Sequence, residues 1–212
     1  FLIAGGILGV SAFDLSHRGE WFRGLREGVL AVHAFRRSLQ ADPSGSDPLL
    51  GLGLYEYWRS HFTRVLSFLP FFRDRRREGR GKIRTAVEKG GVAGPIAEVA
   101  EAFIDFKEGR YGPVIRWAGD FLNRFPKNVI VRMLRGEALM ESGKYAEARD
   151  DFQKILDQDP SLTKGYFLIG LAYAREGKDK ERARKLIRDY LEMEKTAGPW
   201  RDKAEEVLRT LR

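Results

Sequence analysis

Apolar residues recur at helical spacing along almost the whole chain. No segment shows the sustained alternation of apolar and polar residues, bounded by hairpin turns, that is typical of a half-buried β-strand. Prolines and glycines interrupt the helical pattern repeatedly, and they are the residues that most often mark helix ends. The pattern therefore predicts an all-α protein.

Three residue types repeat along the second half of the chain with a period of 34 residues. The residues that keep this period are Gly109, Gly143 and Gly177; Tyr111 and Tyr145; and Pro126 and Pro160. Glycine adopts the left-handed backbone conformation that ends a helix, and proline cannot continue one. The period therefore predicts a helical hairpin in which helix A ends at the glycine, the tyrosine packs over the turn, and helix B runs to the proline.

These positions resemble the tetratricopeptide repeat (TPR). The repeat at 129–162 departs from the motif at Arg132 and Arg135, where an aromatic residue and a leucine are usual. Further repeats are expected at 95–128 and 163–198. The repeat at 129–162 matches the motif at Gly136, Gly143, Tyr145, Ala148, Phe152 and Pro160.

The resemblance implies a TPR-like α-solenoid of about five antiparallel helical hairpins, formed as one continuous array. Residues 1–94 are expected to form degenerate hairpins, 95–198 three TPR-like repeats, and 199–212 a capping helix. The first 40 residues are predicted to form a longer hairpin with its turn near 17–21. Residues 1–13 are apolar but shorter than the roughly 20 residues of a membrane span, so they are interpreted as a buried helix in which Gly5 and Gly9 permit close packing.

The order of three segments carries a further resemblance. "GLGLYEYW", "FLPFFRDRRREG" and "RFPKN" follow one another as in a family of bacterial TPR proteins that is distantly similar to the Iml2/TTC39-type TPR proteins. Many members of that family are exported to the cell envelope. The resemblance implies a scaffold without enzymatic activity, and it favours the bacterial envelope, periplasmic or membrane-associated, over the cytoplasm.

The chain is basic, with 38 Lys and Arg against 30 Asp and Glu. The excess is concentrated in residues 1–94, which carry 15 basic against 9 acidic residues. Seven cations follow the apolar stretch 65–72 and form what we call the basic segment: Arg73, Arg75, Arg76, Arg77, Arg80, Lys82 and Arg84.

Three interpretations of the basic segment stay open. Its cations form ion pairs with acids of neighbouring repeats, or they contact an anionic membrane surface or an acidic protein, or they bind nucleic acid. The first interpretation is favoured and nucleic acid is disfavoured.

No residue pattern indicates catalysis or a cofactor. The chain has no cysteine and only three histidines, His17, His33 and His61, which are not at metal-ligand spacing. The glycine-rich stretches lack the preceding strand and the Lys-Ser/Thr pair of a phosphate loop. The acidic pairs 150–151 and 205–206 are expected to form solvated ion pairs. We therefore predict no catalytic residue, metal, cofactor or small-molecule substrate.

The resemblance implies that the A helices line a concave groove through their second, fifth, ninth and twelfth residues. The predicted groove is mostly apolar and favours a protein or peptide partner, bound as an amphipathic helix or extended segment. It lacks the lysine and asparagine with which some TPR domains bind a C-terminal carboxylate. In an equally weighted alternative, the N-terminal hairpin or the terminal helix of the same chain fills the groove. The main groove positions are Val99, Phe103, Phe106, Met133, Glu137, Met140, Phe167 and Leu171; the wider set adds Ile96, Ile130, Lys164 and Ala174.

Overall fold

The structure is a computed structural model that describes residues 1–17, 20–62 and 73–211. Within these ranges the chain forms eleven α-helices and no strand, so the all-α prediction is confirmed. The helices are α1 Leu2–His17, α2 Trp21–Ala41, α3 Asp47–Phe62, α4 Arg76–Lys89, α5 Gly94–Lys107, α6 Tyr111–Arg124, α7 Val129–Glu141, α8 Tyr145–Gln158, α9 Lys164–Glu176, α10 Lys180–Met193 and α11 Pro199–Thr210.

The chain divides into two compact units, Phe1–Glu101 (unit 1) and Ala102–Arg212 (unit 2). The division falls inside α5. Unit 1 contains α1 to α4 and the first half of α5, and unit 2 contains the rest of α5 and the helices that follow.

In unit 2, glycines with a left-handed backbone conformation recur every 34 residues. Gly109, Gly143 and Gly177 have φ of 76°, 76° and 72°, and each lies one or two residues after the end of α5, α7 or α9. Tyr111 and Tyr145 are the first residues of α6 and α8. The predicted hairpins, with their helix ends at these glycines, are therefore present.

The α7–α8 and α9–α10 hairpins pack closely because a glycine of the first helix faces the second helix. A Cβ added to Gly136 of α7 would lie 2.5 Å from the ring of Phe152 in α8, which is fully buried. A Cβ on Gly170 of α9 would lie 3.1 Å from the carbonyl oxygen of Ala183 in α10. Neither position has room for a side chain, so these two glycines set the helix separation.

A buried ion cluster explains the departure of α7 from the TPR motif. Asp151 of α8 is 2% exposed, and its carboxylate accepts a hydrogen bond from Nε of Arg135 at 2.7 Å. Arg132, also buried, lies 3.5 Å from the same carboxylate and donates to the carbonyl of Pro126 at 2.6 Å. The hydrogen bonds to Asp151 raise the pKa of Arg135 above its ordinary value. The expectation that Asp151 is solvated was wrong, because two arginines hold it inside the hairpin.

In unit 1, the ring of Phe35 in α2 packs between α1 and α3. Added Cβ atoms on Gly5 of α1 and Gly51 of α3 would lie 2.7 and 2.2 Å from its ring. Gly5 therefore allows the predicted close packing of α1, whereas a Cβ on Gly9 would meet no atom within 4 Å. The turn predicted near residues 17–21 includes residues 18 and 19, which lie outside the described residues.

Helices α3 and α4 approach each other so closely that their backbones are in contact. A Cβ on Gly53 would lie 2.6 Å from the carbonyl oxygen of Gly79, and a Cβ on Gly79 would lie 2.6 Å from that of Gly53. Tyr57, one turn after Gly53, is 1% exposed and belongs to the same core.

The prediction that residues 1–13 form a buried helix was wrong. They form most of α1, whose inner face contacts α2 and α3 through Gly5 and Leu8. Ile3, Ile7 and Val10 on its outer face are exposed. No helix in the described part of the chain combines the length and the apolarity needed to cross a membrane.

Gly79→Ala is expected to lower the free energy of unfolding of the protein by about 1–3 kcal/mol, because the added methyl group forces α3 and α4 apart. Gly81→Ala in the same helix is the matched control. A Cβ there meets no atom within 4 Å, so greater helix propensity should stabilise it by up to about 1 kcal/mol. Urea unfolding followed by circular dichroism measures both, and equal gains would contradict the close approach.

Asp151→Ala is expected to lower the free energy of unfolding by about 3–5 kcal/mol, because two arginines in the hairpin lose their carboxylate. Asp150→Ala changes the neighbouring exposed residue and should stay within about 0.5 kcal/mol of wild type. Thermal and urea unfolding of the two variants provide the comparison. If Asp151→Ala lowered the free energy of unfolding as little as Asp150→Ala does, the buried carboxylate would be dispensable.

Candidate functional site

The predicted groove residues of α5 lie at different depths. Val99, in unit 1, is half-buried. In unit 2, Phe103 is exposed, whereas Phe106 is half-buried and packs edge-on against Tyr111, with ring centroids 5.5 Å apart. Phe106 therefore helps to close its own hairpin, and Phe103 presents its ring to solvent.

The groove residues of α9 are placed differently from the expectation. Phe167 and Leu171 are buried, as is Met140 at the end of α7. The ring of Phe167 lies 5.4 Å from that of Tyr190 in α10 and 6.1 Å from that of Trp200 in α11. All three predicted residues belong to the core of unit 2, and α10 and α11 cover the ring of Phe167.

An accessible surface remains beside this covered region. Ile130 in the first turn of α7 is 63% exposed, and Met133 and Glu137 continue the same helix face at the i+3 and i+7 positions. Lys164 of α9 lies next to them, since its Nζ is 3.2 Å from Oε1 of Glu137. Together with Trp200 these residues form what we call the α7–α9 face.

Trp200 supplies an aromatic wall to the α7–α9 face. The Nζ of Lys164 lies 3.5 Å from the centroid of its ring, and the Nζ of Lys203 lies 5.7 Å from it. Lys164 is therefore held between a carboxylate and an indole, both of which stabilise its charge. Sequence reasoning treated 199–212 as a cap and missed Trp200. The available signal was an aromatic residue directly after Pro199, at the start of an otherwise polar helix.

A second concavity in unit 2 lies on the side of the B helices. It is a cleft of about 340 Å³ with an apolar floor and a polar rim. Gln153 and Asp157 of the rim bond to each other, with 2.9 Å from Nε2 to Oδ1. The residues lining the cleft are Gln153, Leu156, Asp157, Pro160, Tyr166, Ile169, Arg182 and Leu186.

Most cations of the basic segment are held by carboxylates of unit 1. Arg80 and Arg84 both donate to Oε1 of Glu101, at 2.7 and 2.9 Å. Glu56 of α3 is shared in the same way by two cations. Arg77 is exposed and has no ion-pair partner among the described residues. The pairs are Arg73–Glu78, Arg75–Glu56, Arg76–Asp74, Arg80–Glu101, Lys82–Glu56 and Arg84–Glu101.

This pairing favours the interpretation of the basic segment as an intramolecular network, since six of its seven cations have a carboxylate partner. The apolar stretch 65–72, on which the membrane interpretation of this segment also depends, lies outside the described residues.

The two histidines with described side chains, His33 and His61, lie on different helices. His33 is exposed, and His61 stacks on Tyr57 with ring centroids 6.2 Å apart; the side chain of His17 lies outside the described residues. In the part of the chain that the structure describes, no group of three or more His, Cys, Asp or Glu side chains is placed to hold a metal ion.

Comparison with known families identifies the repeat. Residues 130–162, which cover nearly all of α7 and α8, match the family model of the tetratricopeptide repeat. This segment is therefore similar to a TPR. A search of curated protein sequences gave no significant match. The resemblance to the Iml2/TTC39-type proteins and a bacterial origin stay predictions.

Solved TPR structures resemble the whole chain in fold. A TPR protein from Parabacteroides merdae has 18% identity and a TM-score of 0.62, over 97% of this chain and 70% of that one. MamA has 20% identity and a TM-score of 0.59, over 82% and 92%. YrrB, described as a TPR protein with an unusual peptide-binding site, has 15% identity and a TM-score of 0.58, over 89% and 85%. These likenesses confirm the predicted fold class, a TPR-like α-solenoid.

Arg80→Glu is expected to lower the free energy of unfolding by about 2 kcal/mol or more, because it places a second carboxylate against the largely buried Glu101. Arg77→Glu makes the same charge change at an exposed position and should remain within about 0.5 kcal/mol of wild type. Urea unfolding at low and moderate salt distinguishes them. If both reversals were equally harmless, the network around Glu101 would not stabilise unit 1.

Proposed function

We propose that the protein is a non-enzymatic scaffold that binds a segment of another protein on the α7–α9 face. One observation carries the proposal: Ile130, inside the segment that matches the TPR model, is 63% exposed next to Met133. An exposed β-branched residue at the start of an A helix contributes nothing to the core of its own repeat. Burying it against a partner removes apolar surface from water, at roughly 25 cal/mol per Å².

The chemistry of the face selects an amphipathic segment. Ile130 and Met133 offer apolar contact, and the flexible thioether of a methionine adapts to different partner side chains. Lys164 and Lys203 add two cations around Trp200 against one nearby carboxylate, that of Glu137. A helix or extended strand with apolar residues beside an acidic residue complements both parts of this surface.

A C-terminal carboxylate is a poor ligand for the same face. The position at which some TPR domains place an asparagine is occupied by Glu137, whose carboxylate already accepts from Lys164. A second carboxylate there would compete for the same ammonium group and be repelled by Glu137. An internal segment of the partner is therefore the proposed ligand.

The proposal agrees with the description of YrrB, a protein of similar fold, as having a peptide-binding site. The proposed setting is a bacterial envelope assembly, and its support is the segment order "GLGLYEYW", "FLPFFRDRRREG" and "RFPKN". The basic segment supports an alternative function, binding of an anionic membrane surface, acidic protein or nucleic acid, less well, because its cations are mostly paired within unit 1.

Ile130→Asp is expected to weaken binding of a peptide selected by display against the wild-type chain by about tenfold or more, because a carboxylate replaces the apolar contact. Met193→Asp is the matched control, since Met193 is also an exposed apolar residue of unit 2 but lies at the end of α10. Fluorescence anisotropy gives the affinities, and circular dichroism verifies folding.

Undiminished binding by Ile130→Asp would overturn the placement of the site on the α7–α9 face. An equal loss in Met193→Asp would do the same, because it would show a general effect of added negative charge.

A further inference from the structure

The outer face of α1 carries a row of apolar side chains that no described residue of unit 1 covers. Ile3, Ile7 and Val10 follow one another at helical spacing and are 78%, 66% and 71% exposed. The ring of Phe1 lies at the start of the row and is also exposed. Contiguous apolar surface of this kind marks an interaction site in most proteins.

The row stays uncovered because the opposite face of α1 already makes the contacts with its neighbours. Gly5 lies against Phe35 of α2, and a Cβ on Gly28 of α2 would lie 3.9 Å from the Cβ of Ala12. No charged residue occurs among residues 1–13, so this part of α1 is largely apolar on both faces. A helix that is apolar all round needs burial on its second face as well.

Exposed cations accompany the apolar row. The contact of Gly5 with Phe35 places the end of α2 alongside the start of α1, and the guanidinium of Arg37 lies 5.5 Å from the centre of the Phe1 ring. Arg36 and Arg37 are both exposed, and among the described side chains neither has an ion-pair partner. They differ in this respect from the cations of the basic segment, most of which are paired.

We propose that the α1–α2 hairpin binds an anionic lipid surface. The row of Ile3, Ile7 and Val10 enters the boundary between headgroups and acyl chains, and Arg36 and Arg37 lie at the level of the lipid phosphates. The row is a ridge on the outer side of one helix, which suits a deformable surface, and the cations beside it complement anionic headgroups. This surface is independent of the α7–α9 face, which lies in unit 2.

The test is sedimentation of the full chain with vesicles of phosphatidylcholine and phosphatidylserine, and with vesicles of phosphatidylcholine alone. Wild type is expected to bind the anionic vesicles more tightly, with affinity that falls as salt rises. Ile7→Asp should reduce the affinity by about tenfold or more, since a charge replaces an inserted apolar side chain. Val92→Asp, at a residue of unit 1 that is 86% exposed and far along the chain, is the matched control and should bind as wild type does.

Charge reversal tests the contribution of Arg36 and Arg37 to vesicle binding. The double variant Arg36→Glu/Arg37→Glu should lose most of the preference for phosphatidylserine and most of the salt dependence. Reversal of Arg75, Arg76 and Arg77 in the basic segment should leave binding nearly unchanged. All variants are verified by circular dichroism and thermal unfolding, which Ile7→Asp should not alter because Ile7 contributes little to the core.

Three results would overturn the proposal. The first is absence of wild-type binding to anionic vesicles at low salt. The second is an equal loss of vesicle affinity in Ile7→Asp and Val92→Asp, or a loss of vesicle affinity when the cations of the basic segment are reversed. The third is a dimer in light scattering that Ile7→Asp converts to monomer without any vesicle binding, which would assign the row to contact with a second copy of the chain.

Discussion

Close approach of paired helices is the constraint on which both units depend. In several helix pairs of both units, one helix lacks a side chain where the other presents backbone or a large ring. Gly136 faces Phe152, Gly170 faces Ala183, and Gly53 and Gly79 face each other's carbonyl oxygens. A bulkier residue at any of these positions separates the helices and opens the core, since protein interiors tolerate few voids. In unit 2, left-handed glycines then follow the ends of α5, α7 and α9, where the hairpins turn.

Charge in this protein serves mainly to hold helices together. Asp151 binds two arginines inside the α7–α8 hairpin, and Glu56 and Glu101 bind most of the basic segment within unit 1. A net charge of +8 therefore overstates the cationic surface that is free to attract a partner. The α7–α9 face of unit 2 and the outer row of α1 are accessible surfaces with apolar residues and a few cations beside them.

The sequence was sufficient to predict features that depend on a single residue and its neighbours along the chain. The helix ends at Gly109, Gly143 and Gly177 follow from the backbone preference of glycine alone. Features that depend on a distant partner were not predictable in the same way. Arg132 and Arg135 depart from the motif because they pair with Asp151, which lies 16 residues beyond Arg135 in the sequence.

In the candidate site, too, the features that depend on distant partners were not predictable. The motif predicted that Met140 of α7 and Phe167 of α9 line the groove, but both are buried. The ring of Phe167 packs against Trp200, which belongs to a helix outside the predicted repeats. The exposure of α1 was missed because apolarity was taken as a sign of burial. Its inner face packs against its neighbours through Gly5 and Leu8, while Ile3, Ile7 and Val10 remain on the outside.

Hydroxyl-radical footprinting with a selected peptide ligand tests the proposed site most directly, because it reports the accessibility of individual side chains. Met133 and Trp200 are reactive residues of the α7–α9 face, Tyr166 lies in the cleft beside α8 and α10, and Met193 lies in neither. The account predicts that the peptide lowers the oxidation of Met133 and Trp200 and leaves Tyr166 and Met193 unchanged. Protection of Tyr166, with Met133 and Trp200 unaffected, would contradict it.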